Sequence, residues 1–176
     1  IVNDYNADPL NTKAVFLVGH VPVPYSGNLA PDGHQEHYGA WSADVFYGDV
    51  NGTWTDATVY STGASDPRNH NVPGDGKYAQ SVIPSPVELA VGRVDFSNMP
   101  VFPQDETTLL SNYLTKLHNW KIKAFSAQVQ GLVDDNFQGA SPAFAAQGWS
   151  GFGPLVGPAN VSAQDYFSAM STQSYL

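Results

Sequence analysis

The sequence contains no cysteine. That absence excludes disulfides, cysteine-ligated zinc and a thiolate nucleophile within these residues. Positive charge is scarce too, with 7 Lys and Arg against 16 Asp and Glu and a net charge of -9. Wrapping nucleic acid or lying on anionic lipid needs clustered cations, so neither is expected. No apolar run approaches the roughly 18 residues of a membrane span, and no membrane insertion is expected. Charged residues reach only 13% of the chain, about half the usual share. Aromatic residues are plentiful instead, at 12%, with 4 Trp, 9 Tyr and 9 Phe among 176 residues. A chain of this length and apolar content can bury one domain core.

The chain opens on Ile1-Val2-Asn3, without an initiator Met or a signal-like start, and closes at Tyr175-Leu176 after a helical pattern. We read residues 1–176 as a single α/β domain or a fragment of a larger one. Little lysine with abundant Asn, Gly, Ser, Thr and Tyr points, by compositional association, to an extracellular or cell-surface location.

Ala14-Val15-Phe16-Leu17-Val18-Gly19 is a continuous apolar run, the pattern of a strand buried on both faces. Residues 20–42 hold several Pro and Gly and read as a long loop. Asp44-Val45-Phe46-Tyr47-Gly48 reads as a second short strand and Val87 to Val94 as a third. After Pro103, Leu109, Leu110, Tyr113, Leu114, Leu117 and Trp120 follow helical spacing. Residues 127–133 read as a fourth strand. Ser141-Pro142 then starts a short helix, and Ser162 to Asp165 forms a variant capping box that opens the last one. Gly148 to Gly153 reads as a turn holding a packed Trp. Strands alternating with helices predict α/β architecture, a three-layer sandwich. The strands at 14–19, 87–94 and 127–133 are expected as neighbours in one mostly parallel sheet.

Open α/β sheets bind ligands beyond the carboxyl ends of their strands. His20, Asp49, Arg93 with Asp95, and Asp134 with Asp135 fall at those ends. The plain alternative is that they cap loops and helix starts. Asp49-Val-Asn51-Gly-Thr-Trp54-Thr-Asp56 resembles a calcium loop, so Asp49, Asn51 and Asp56 are the expected oxygen ligands for Ca²⁺. An oxygen-rich turn without an ion has the same signature. Asp32-Gly33-His34-Gln-Glu36-His37 offers two imidazoles and two carboxylates. Zinc would need further ligands, with His20 and His70 as distant donors; solvent-exposed histidines are the default reading.

Val91-Gly92-Arg93-Val94, the following helix with Leu114 and Trp120, and the strand ending in acidic residues resemble the gingipain-type cysteine peptidases of the caspase-haemoglobinase fold. The segments Phe16 to Asn28 and Ala43 to Asp49 are similar to secreted bacterial proteins carrying such domains. The resemblance covers residues 14–135 in element order. It implies a caspase-like sheet and an acidic residue, Asp134 or Asp135, that orients a catalytic imidazole. The family's cysteine nucleophile and its Gly-His-Gly histidine have no counterpart here. The resemblance therefore implies part of a peptidase domain, inactive alone, with a second chain completing its sheet. A non-catalytic secreted binding domain is the first alternative. A glycan-binding or glycan-active protein is the second, with Tyr38, Trp41, Tyr47, Trp54 and Trp149 as stacking surfaces.

Overall fold

The computed structural model describes residues 1–126, 129–134, 143–166, 168 and 169. It is a mixed α/β structure with, among the described residues, three α-helices and small two-stranded sheets. The chain divides into two compact units, Ile1–Leu110 and Ser111–Leu176.

In the first unit, α1 (Val2–Ala7) leads to β1 (Ala14–Val18), which pairs in parallel with β4 (Ala90–Val94). The register sets Ala14 beside Ala90 and Val18 beside Val94. This adjacency is the one expected from the two apolar runs. Burial on both faces is not realised: Leu17 is 5% exposed, whereas Phe16 and Val18 are 45% and 42% exposed. One face of β1 packs and the other stays open. The third strand starts late, at Ala90, because the N–H groups of Glu88 and Leu89 donate to the Gly48 carbonyl instead of to a strand.

The expected loop over 20–42 contains an antiparallel hairpin, β2 (Tyr25–Leu29) with β3 (Gly39–Ser42). The Tyr-Ser-Gly-Asn-Leu strand lacks an alternating apolar pattern, and its buried members include Ser26 and Gly27. The expected strand at Asp44–Gly48 is a 3-10 turn over Asp44–Tyr47. Local bonds from Phe46 N–H to the Ala43 carbonyl and from Gly48 N–H to the Val45 carbonyl close it. Residues 61–86 are loop apart from a 3-10 turn at Pro67–Asn69 capped by Asp66.

Polar groups do much of the holding in this unit. Asn71, 1% exposed, donates from Nδ2 to the carbonyls of Gly27 at 3.0 Å and Tyr78 at 2.9 Å. Its backbone exchanges two hydrogen bonds with Ser61. Those long loops thus meet their buried backbone groups through one amide side chain. Phe46 stacks on Tyr78 at 4.7 Å between ring centres, and Trp54 packs edge-on against both. Trp54 is therefore a packing residue of this cluster.

α2 (Glu106–Lys121) begins in the first unit and continues into the second. Asp105 caps it, its carboxylate accepting the Thr108 N–H at 2.7 Å. In the second unit β5 (Gly131–Val133) pairs in parallel with β6 (Val161–Ala163). Among the described residues β1 pairs with β4 and β5 with β6, each in a two-stranded parallel sheet. β5 and β6 are three-residue strands, and nothing in such short runs specifies a partner.

The expected turn at Gly148–Gly153 lies inside α3 (Ala143–Val156). A Cβ at Gly148 would meet Val133 at 3.0 Å, so glycine here lets the helix pack close to β5 and tertiary packing overrides its poor propensity. The expected capping box is displaced as well. Ser162 is in β6, and Asp165 is the residue that caps, accepting the Ser168 N–H at 2.8 Å.

Candidate functional site

The parallel pair brings two of the strand-end residues together. His20 follows β1 and Asp95 follows β4, so parallel pairing delivers both to the same carboxyl edge. Glu106, in the first turn of α2, completes a group whose ligand atoms all lie within 4.8 Å of one another. Glu106 Oε2 is 2.6 Å from His20 Nε2. A carboxylate only accepts, so the imidazole carries its proton on Nε2 and leaves Nδ1 as an acceptor when neutral.

The surroundings position these three groups. Asp95 accepts the Ser97 N–H at 2.8 Å, folding the chain after β4 back on itself. Arg93, the last strand residue but one, turns its guanidinium to Asp44 with a bidentate pair, Nε at 2.7 Å and Nη2 at 2.8 Å. The same guanidinium donates to the carbonyls of Val21 and Pro22, and the Tyr47 hydroxyl also donates to Pro22. One cation thereby ties the segment after His20 to the 3-10 turn at Asp44. Arg93 is a positioning residue, not a member of the cluster.

Glu106 holds His20 above its ordinary value of 6.5, by hydrogen bond and by charge, and Asp95 adds a smaller push upward. The Ser97 N–H holds the Asp95 carboxyl below its usual range, with help from His20 and Arg93. A raised histidine contributes stability that is fully present below its unfolded pKa, and this stability is lost as pH rises through the folded value. Replacing Glu106 by Gln removes the dominant cause. In an NMR titration, His20 of the native chain is expected to titrate above 6.5 and that of Glu106→Gln to fall back toward it. Identical curves for the two proteins would refute the pairing.

Chemically, an imidazole between two carboxylates can relay a proton or hold a divalent cation. A second group of the same kind, Asp32, His34 and His37, lies on the loop before β3. Compared with protein families, curated proteins and solved structures, the chain matches none.

The other residues singled out in the sequence lie elsewhere. Asp49 is buried, and its carboxylate accepts from the Ser85 hydroxyl and from Trp54 Nε1, the latter at 3.1 Å. Asn51 donates to Glu88 at 2.8 Å. Asp56 accepts the N–H groups of Gly74 and Gly76, at 2.8 and 2.7 Å. These three side chains of the calcium-like loop are thus each held by different protein partners. Asp134 follows β5 and accepts the Tyr166 N–H at 2.9 Å, the geometry of a cap on the helical turn there. Asp135 lies outside the described residues. His70 Nε2 donates to the Ala64 carbonyl, 2.8 Å away.

Glu106 was visible in the sequence merely as a carboxylate suited to a helix start. The signal that could have found it is its place: the first turn of the helix that follows a strand-end aspartate.

Proposed function

We propose that this chain is a portion of a secreted, gingipain-like α/β domain that binds a ligand at His20, Asp95 and Glu106 and cleaves no peptide bond by itself. The observation that carries the proposal is the His20–Glu106 pair at the carboxyl edge of parallel β1 and β4, where α/β sheets take their ligands. The finer architecture proposed is the caspase-like three-layer sandwich around a mostly parallel sheet. The open face of β1, with Phe16 and Val18 exposed, supports a further layer, and the β1–β4 sheet, two-stranded among the described residues, supports completion by a second chain. Among the described residues no helix is long and apolar enough to cross a membrane.

Thiolate chemistry needs a cysteine, and the chain has none. On this reading Asp134 and Asp135 occupy the acidic position that would orient an imidazole supplied by another segment. The purified 176 residues are expected to leave an unbiased peptide library uncut. Turnover abolished by His20→Ala would overturn the proposal, because the site would then be catalytic in its own right.

A second reading, glycan binding, draws on one observation. Trp41 and Tyr25 line a cleft with Ser42, Asp66 and Arg68, and aromatic walls with a few placed polar groups suit a small-molecule ligand.

A further inference from the structure

We propose that Asp32, His34 and His37 form a binding site for a divalent transition-metal ion of the zinc class. The site is independent of the cluster at the strand ends. A single carboxylate oxygen, Asp32 Oδ2, is 3.1 Å from His34 Nδ1 and 2.6 Å from His37 Nδ1. Ligand atoms from all three residues lie within 4.8 Å of one another. In a tetrahedral zinc site with bonds near 2.0–2.1 Å, neighbouring ligand atoms stand about 3.3 Å apart. The first edge already matches that separation, and the second needs to widen by roughly 0.7 Å. Rotation of half-exposed side chains supplies this without moving the backbone, since the three are 42% to 65% exposed.

The backbone beneath the triad is fixed before any ion arrives. Gly33, with φ of +80°, makes the turn that sets Asp32 and His34 side by side. The Asp32 carboxylate also accepts the His34 N–H at 3.2 Å. The Glu36 carbonyl is held by the Ser65 N–H at 2.8 Å, and the His37 carbonyl by Trp41 Nε1 at 3.0 Å. Little ordering cost is therefore left for binding. Two imidazoles and one carboxylate are the donor set of open, three-ligand zinc sites. His37 is also a wall of the cleft beside Trp41 and Arg68, which gives a fourth ligand a way in. Glu36, the second carboxylate of the sequence pattern, is not a member of the group.

Calorimetry with zinc chloride on the full 176-residue chain tests the site, with cobalt(II) absorption as a second readout of tetrahedral coordination. His34→Ala, His37→Ala and Asp32→Asn are each expected to weaken this binding at least tenfold and to remove the cobalt band, in line with the ~10–100-fold losses seen even for outer-shell partners. Thermal melting checks that each variant is folded, which their exposure predicts. The double variant His20→Ala/Glu106→Gln is expected to keep the binding intact. Zinc affinity unchanged in all three triad variants would overturn the proposal, as would no measurable heat or binding lost only in the His20/Glu106 variant.

Discussion

Gly39→Ala is expected to lower the melting temperature of the first unit by roughly 6–12 °C, whereas Gly63→Ala should leave it within a degree or two. Gly39 opens β3 and is buried against the 3-10 turn at Pro67–Asn69. A Cβ there would stand 2.9 Å from the carbonyl carbon of Asn69 and closer still to its oxygen. That neighbour is backbone, fixed by the bond from Asn69 N–H to the Asp66 carbonyl, so no side chain can swing aside. Either β3 or the turn has to shift. Overpacking a rigid site costs about 1–3 kcal/mol, and a backbone obstacle puts this case at the upper end. At Gly63 a Cβ would meet nothing within 4 Å and the backbone has no positive φ. Equal melting temperatures for the two variants, measured by circular dichroism at one protein concentration, would show that the close approach of β3 to residue 69 is not a structural constraint.

Those two glycines mark the boundary of what the sequence could tell. Both sit among polar residues in Pro- and Gly-rich stretches, and only the folded chain separates them. Where a pattern was long or strongly apolar, the reading was sound: β1, β4 and α2 lie close to where their residues predict. His20 and Asp95 meet at one sheet edge because β1 and β4 pair in parallel, the arrangement assumed for their strands. The partner that gives His20 its chemistry could not be placed from the sequence. Glu106 is distant in sequence, and its carboxylate in a first helical turn looks the same whether it faces solvent or an imidazole.

The calcium-like loop draws on distant partners as well. Asp49, Asn51 and Asp56 have suitable oxygens at suitable spacing. Yet the donors on Asp49 include Ser85, far along the chain, and the partners of Asp56 come from a turn at residues 74–76. Spacing is local, and satisfaction of a buried carboxylate is not. The hairpin of β2 and β3 and the pairing of β5 with β6 escaped for a related reason. Their strands are short, and their partners are set by which backbone groups remain to be paired.

Arg93→Lys is expected to destabilise the first unit by about 2 kcal/mol and, in the same protein, to return His20 toward its ordinary titration. The Arg93 and Asp44 side chains are only 17% and 31% exposed, so solvent screens the pair weakly. A guanidinium satisfies the two Asp44 oxygens and the carbonyls of Val21 and Pro22 together. An ammonium on a flexible stem can keep the carboxylate or the carbonyls but lacks the planar fork that reaches both. The carbonyls it abandons belong to the residues directly after His20, so the imidazole loses its fixed distance to Glu106. Loss of a charged hydrogen bond accounts for the stability change, and loss of position accounts for the titration. The two effects separate the explanations. A variant that melts early but keeps a raised His20 would make Arg93 a structural residue alone. One that melts normally with a lowered His20 would make it a device of the site, and a variant changed in neither would remove it from both roles. Asp44→Asn leaves the contacts to Val21 and Pro22 in place, and it should therefore reproduce the loss of stability while sparing much of the His20 shift.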